Sequence, residues 1–351
     1  MNPGTVNSDT VTHARRHAPM LYETLDAGAA PRKAEAPDTL GYLYNHGGLN
    51  NQKMAILGLL LGGVRQRQPV TVPYIYNKDQ RTEAETLARF EDIFDPAPIT
   101  EFTGAHGVPI SLGPPTGSRG GWDWFRAFNA ELENPSDPAS FRILLDAAAS
   151  LKPRIATTDG FHALKQFAFG SLGIDTTVQL RIEADWREHV AQALQPRLGH
   201  AEDNGIGFAE IMTKVRNTFP GLRMVYVTAD EASMPVPKDA IRAACRTRFG
   251  LEPVWKTDLL PDAFRRRLTP LDLSLIDFEM ARACPRFVGL TTSTFANMLA
   301  LEKLAETRQP VRGHYIYNHP GETVLERQDN GLATAAARAV QPLDPAVPLV
   351  G

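Results

Sequence analysis

The sequence predicts an α/β protein built from two halves, and three observations carry that reading. Through the second half, segments rich in β-branched and aromatic residues alternate with helix-period segments. That is the pattern of a parallel sheet covered on both faces. The 351 residues are enough for roughly two domains of ~150 residues each. The composition, 43% hydrophobic and 22% charged, is that of an ordinary folded protein and excludes collagen-like, coiled-coil and wholly disordered chains.

Charge and cysteine usage narrow the function classes. Thirty-seven Lys and Arg against forty Asp and Glu leave a net charge of −3, which offers no electrostatic footprint for nucleic acid or an anionic membrane. The two cysteines, Cys245 and Cys284, exclude a disulfide framework and read as small buried hydrophobes within helical patterns. The most apolar run, Met54 to Val64, is eleven residues long, whereas a membrane-spanning helix needs ~20. No secretory signal is visible among the first thirty residues, and a cytoplasmic protein is the expectation.

Taken in order, residues 1–37 read as a flexible arm rich in Ala, Pro, Thr and Asn. Leu40 to Tyr44 reads as a strand, Asn45 to Asn51 as a turn, Gln52 to Val64 as a helix and Val70 to Tyr76 as the next strand. From Pro96 to Gly121 the density of Gly and Pro predicts a long loop, after which Trp122, Trp124 and Phe125 open a helix. Strands are then expected at Val178–Glu183, Arg223–Thr228, Glu252–Lys256 and Arg286–Gly289. Helices are expected at Trp186–Leu194, Phe208–Phe219, Lys238–Arg248, Leu271–Cys284 and Thr294–Glu306. The division is 38–170 for the first half, 171–330 for the second and 331–351 for a C-terminal helix or tail.

Three segments could carry chemistry. In His46-Gly47-Gly48-Leu49-Asn50-Asn51-Gln52, two glycines allow close backbone approach to a ligand and the following helix offers free N–H groups to an anion. A tight strand-to-helix turn without a ligand has the same pattern. In Gln179-Leu180-Arg181-Ile182-Glu183-Ala184-Asp185-Trp186, a guanidinium arrives at the carboxyl end of a strand, where open α/β sheets bind ligands. Its planar fork suits a phosphate, although an internal ion pair of Arg181 with Glu183 or Asp185 reads equally from the same residues. In Gly289-Leu290-Thr291-Thr292-Ser293-Thr294-Phe295, hydroxyls stand where a helix N-cap belongs; the same hydroxyls and amides would also grip a diphosphate. Upstream, Asp277 is a carboxylate in an otherwise apolar helix. The nine histidines show no ligand spacing, so no metal is expected.

In this order, the segments resemble the GDP-fucose protein O-fucosyltransferase and α1,6-fucosyltransferase superfamily. Gly47-Gly48-Leu49-Asn50-Asn51-Gln52 is similar to the family's Gly-rich, Asn-containing first turn. Gln179 to Trp186 resembles its "H-L-R-x-E-x-D-W" strand end, Val225 to Glu231 its "I-Y-V-A-T-D" strand, and Phe287 to Phe295 its "F-V-G-x-x-x-S-T-F" turn. The chain departs from the pattern at Gln179, where the family often has His, and at Gly47, where some relatives carry a catalytic Glu.

The resemblance implies the glycosyltransferase B fold, two Rossmann-like domains facing across a cleft, with acceptor on the first and a GDP-sugar on the second. It implies inverting, metal-independent transfer of L-fucose to an unidentified peptide, glycan or small-molecule hydroxyl. By position, Arg181 would hold the β-phosphate and ease departure of GDP. Ser293, Thr294 and Phe295 would line the diphosphate, Asp277 would contact guanosine, and Asn50 or Asn51 would meet the pyrophosphate from the opposite wall, with Gly47, Gly48 and Gln179 also on the donor. His46 and Glu183 are the candidate bases. The same fold with another nucleotide sugar, or a non-catalytic nucleotide-sugar or glycan-binding protein, stays open as an alternative.

Overall fold

A computed structural model gives the architecture for residues 39–327, apart from 79–81, 83, 116–119, 134–136 and 195–201. The expected arm at 1–37 and the tail at 331–351 lie outside the described residues. In the first half, β1 (Val70–Thr71) pairs in parallel with β4 (Ile110–Ser111), and β2 (Ile75–Lys78) pairs antiparallel with β3 (Glu85–Ala88). The strand expected at 40–44 shrinks to a single parallel bridge, Leu40 to Val70. The strand expected at 70–76 is broken around Pro73, which has no N–H to give to a ladder.

The helices are α1 (Leu49–Gln66), α2 (Pro96–Ala105), α3 (Gly121–Glu133), α4 (Pro138–Ser150), α5 (Asp159–Lys165), α6 (Ala184–His189), α7 (Phe208–Thr218), α8 (Lys238–Ala244), α9 (Pro270–Ala283) and α10 (Thr294–Thr307), with shorter helical turns left unnumbered. Helix α2 corrects the expectation of one long loop from Pro96 to Gly121. Asp95 caps it, its Oδ1 accepting from the Ala97 amide at 3.0 Å, and Pro96 occupies the first turn. There a missing N–H costs nothing, so proline starts this helix and breaks none.

Six strands of the second half form one sheet: β5 (Thr176–Gln179), β6 (Met224–Thr228), β7 (Glu252–Trp255), β8 (Arg286–Gly289), β9 (His314–Ile316) and β10 (Leu325–Glu326). Their spatial order is β10-β9-β8-β5-β6-β7, parallel except for β10 at the edge. Counted within this half, that is the doubly wound order 3-2-1-4-5-6. Side chains alternate across the sheet: Val225 and Val227 pack with Ile211, Met212 and Val215 of α7, while Tyr226 and Val254 pack with Ile276 and Met280 of α9. Both faces are therefore covered, as the apolar strand sequences require.

The described residues from Thr39 onward belong to one compact unit. The largest of three apolar clusters among the described residues runs from Tyr42 and α1 through α3 and α4 to Phe278, Phe287 and Leu301, taking residues from both halves. Helix α1 lies against α3 so closely that a Cβ on Gly58 would come 2.1 Å from the Trp124 carbonyl oxygen, and one on Gly62 2.4 Å from the Trp124 ring. No described helix is long and apolar enough to cross a membrane.

Candidate functional site

In a doubly wound sheet the topological switch point falls where successive connections leave in opposite directions, here between β5 and β8. The two segments that follow these strands carry Gln179 to Glu183 and Leu290 to Phe295. They meet directly: Gln179 Nε2 donates to Ser293 Oγ at 3.0 Å. Ser293 is the N-cap of α10, and its Oγ also accepts from the Phe295 amide at 3.2 Å. Ser293 Oγ thus ties Gln179 to the first turn of α10. Thr294 and Phe295 are half-buried in the first turn, where helical amides lack intrahelical acceptors.

Arg181 lies just beyond the end of β5. Its guanidinium pairs with Glu183 at 3.0 Å and with Asp185 at 3.4 Å, and sits 5.0 Å from the Trp186 ring. The Arg181 side chain remains 28% exposed while that of Glu183 is 3% exposed, so one end of the pair is open to solvent and the other is not. Glu183 Oε1 accepts from the Asp230 amide at 3.3 Å. Burial lifts its carboxyl above the usual carboxylate range, against the opposing pull of Arg181. Both sequence readings of this segment therefore coexist, an internal ion pair that also aims a partly open guanidinium. As a candidate base, Glu183 is closed in by that pair.

The first-half turn is a separate cluster. Gly47 has φ +113, a conformation that side chains disfavour, and Gly48 precedes α1 with nothing within 4 Å of where its Cβ would stand. Gln52 fixes the turn to β2: its Nε2 donates to the carbonyls of Gly47 (3.1 Å) and Tyr76 (2.8 Å), and its Oε1 accepts from the Tyr76 amide at 2.7 Å. The Oδ1 atoms of Asn45, Asn50 and Asn51 are buried without a hydrogen-bond partner. His46 is exposed, its ring edge-on to Tyr44 and Tyr76 at centroid distances of 4.8 and 4.9 Å. The two clusters are connected through packing. One turn into α1, Lys53 lies 3.7 Å from the Phe278 ring centroid, and Phe278 meets Phe295 edge-on at 5.2 Å.

Asp277 lies in the expected helix, α9, and is bonded within the protein. Its Oδ1 accepts from the Tyr226 hydroxyl at 2.8 Å and its Oδ2 from Lys256 Nζ at 2.6 Å, with only 4% of the residue exposed. Each carboxylate oxygen therefore already has one partner inside the protein, so the residue expected to contact guanosine is also half of a buried ion pair. Burial pushes the carboxyl up to about 6, against the lowering effect of Lys256 and Tyr226. For Lys256 burial works against the charge, but Asp277 and Glu231 outweigh it and hold the ammonium above its ordinary range. An apolar helix with one carboxylate signals such a pair as readily as a ligand contact; the partner, 21 residues upstream and just past the end of β7, is what sequence reasoning missed. Both cysteines are buried, and burial pushes the Cys245 thiol up to about 12, in keeping with an inert core role.

The fold and its strand-edge site define a mixed α/β protein with a mostly parallel, doubly wound sheet and an anion-compatible switch point. Among solved structures, the chain is similar to POFUT1 in complex with GDP, with a TM-score of 0.50 and 14% identity over 79% of this chain and 98% of that one. POFUT1 in complex with GDP-fucose matches with a TM-score of 0.48, 16% identity, and coverage of 82% and 100%. The fucosyltransferase NodZ from Bradyrhizobium matches with a TM-score of 0.43, 12% identity, and coverage of 82% and 98%. At such identities the likeness is one of fold. No protein-family model matches the sequence, and no curated protein matches it significantly.

Proposed function

We propose that this chain is an inverting, metal-independent glycosyltransferase that transfers L-fucose from GDP-fucose to an acceptor hydroxyl. The observation that carries the reading is the hydrogen bond from Gln179 to Ser293 across the switch point, with Arg181 two residues further on. It joins a partly open guanidinium, the N-cap hydroxyl of α10 and that helix's N-terminus at one strand edge, a set suited to a diphosphate. The fold likeness to a GDP-bound protein and the four sequence segments in family order support guanine as the base.

In this mechanism the acceptor oxygen attacks C1 of the sugar while the bond from C1 to the β-phosphate oxygen breaks. The electron pair leaves with GDP and the configuration at C1 inverts. Arg181 and the amides at the start of α10 meet the charge that grows on the diphosphate, the role otherwise given to a cation. Glu183 orients Arg181 and takes no proton from the acceptor. His46, exposed and braced between two tyrosine rings, receives the acceptor proton. Asn50 and Asn51 stand on the acceptor side of the diphosphate.

The test is donor hydrolysis by the purified protein over GDP-, UDP- and dTDP-sugars, with and without chelator. GDP-fucose should be consumed fastest, at a rate chelator leaves unchanged. Consumption of UDP-sugars in preference, or a strict need for Mn²⁺ or Mg²⁺, would overturn the assignment.

A further inference from the structure

We propose that Asn204 is a positioning residue that sets the distance between Arg181 and the start of α10, and so governs grip on the β-phosphate of a nucleoside diphosphate. The inference rests on the donor reading above and identifies what holds that site in shape. Asn204 belongs to neither strand-edge segment, yet it bonds to both. Its backbone carbonyl accepts from Trp186 Nε1 at 2.8 Å, and Trp186 is the ring beneath the Arg181 guanidinium. Its Oδ1 accepts from Thr292 Oγ1 at 2.7 Å, immediately before the Ser293 cap.

Asn318, just beyond β9, completes the brace. Its Nδ2 donates to Asn204 Oδ1 at 3.1 Å and to Thr291 Oγ1 at 2.9 Å, and its Oδ1 accepts from the Thr291 amide at 3.2 Å. Its carbonyl accepts from the Asp203 amide at 2.8 Å, and Glu202 takes the Thr291 hydroxyl. Asn204 is 5% exposed and Asn318 fully buried. The hydroxyls of Thr291 and Thr292 thus tie down the turn that leads into the Ser293 cap. Buried amides bonded to several neighbours, as those of Asn204 and Asn318 are, hold a loop to the sub-ångström tolerance that phosphate recognition needs.

The experiment is calorimetric titration of GDP and GMP into the full chain and its variants. GMP lacks the phosphate that Arg181 would hold. Thr292→Val removes one hydroxyl at constant shape and should weaken GDP by about 10-fold or more while moving GMP by no more than about threefold. Thr292→Ser restores the donor and should bind GDP within about twofold of wild type. Asn204→Ala should show the same selective loss, and adding Thr292→Val to it should cost little more, because the bond between the two side chains is already gone. The proposal is overturned if Thr292→Val binds GDP as wild type does, or if GDP and GMP weaken by the same factor. A wild-type chain that binds no GDP overturns the donor reading itself, and that result is visible before any variant is made.

Discussion

Arg181 is held by two carboxylates of very different exposure, and this decides how its variants behave. Truncation in Arg181→Ala strands the buried Glu183. The expected cost is roughly 2 kcal/mol, between the small value of surface pairs and the larger value of buried ones, together with loss of turnover. Arg181→Lys keeps a charge beside Glu183 but loses the fork. It should melt close to wild type and still lose about 10² in turnover; wild-type turnover in that variant removes Arg181 from the mechanism. His314 makes a prediction about pH. It is fully buried against Phe287, and burial first, then the charges of Arg327 and Lys303, hold its imidazole well below its ordinary range. The unfolded chain therefore binds a proton below pH ~6.5 that the folded chain refuses. Stability from this group is complete above pH ~6.5 and declines as pH falls, by about 1.4 kcal/mol per unit. Melting curves from pH 7.5 to 5 should show His314→Phe losing less stability than wild type; parallel curves would contradict the assignment.

At the scale of elements, two helical glycines are expected to respond in opposite directions to the same change. In α1, a methyl on Gly58 meets the Trp124 carbonyl at 2.1 Å, so α3 has to move. Gly58→Ala should destabilise by ~1–3 kcal/mol, although alanine is the better helix former by ~1 kcal/mol. In α2, nothing lies within 4 Å of a methyl on Gly104, and Gly104→Ala should stabilise by up to ~1 kcal/mol. Urea titrations of the two variants decide it, and equal signs would contradict the α1–α3 contact. The contrast also marks where elements were legible. The strand Arg286–Gly289 and the helix from Thr294 stand where the sequence pattern puts them, because each carries both its periodicity and its boundary signal. Helix α2 was hidden because Pro96 and Gly104 read as loop residues until Asp95 is seen capping the first turn.

For the molecule as a whole, the buried pair of Lys53 on α1 with Glu302 on α10 ties the first half to the second. Lys53→Ala leaves Glu302 uncompensated in a site where burial already lifts its carboxyl, and should cost about 3–5 kcal/mol. The double variant Lys53→Met with Glu302→Leu should recover most of that loss, since an apolar pair of similar volume often serves as well; no recovery would mean that the charges do more than fill space. Ligand response is the second test at this scale. GDP at 100 times its Kd should stabilise the fold by ~2.7 kcal/mol, seen as a rise of several degrees in Tm, with UDP giving less. Equal shifts from both nucleotides would contradict guanine preference.

The alternation of apolar strands and amphipathic helices is a local property, written residue by residue, so the α/β class and most second-half elements follow from the sequence alone. Arg181 and Ser293 were legible as polar residues close behind apolar strand patterns, although β5 ends at Gln179 and not at Glu183 as its pattern suggested. Which strand ends are neighbours is a property of strand order, and only the tertiary structure placed β5 beside β8 and so brought Gln179 within 3.0 Å of Ser293 across 114 residues. Partner choice for buried charge has the same origin. Asp277 looked free in its helix until the sheet brought Lys256 and Tyr226 to it, because a buried carboxylate needs a compensating group and sequence spacing does not reveal which one the fold supplies.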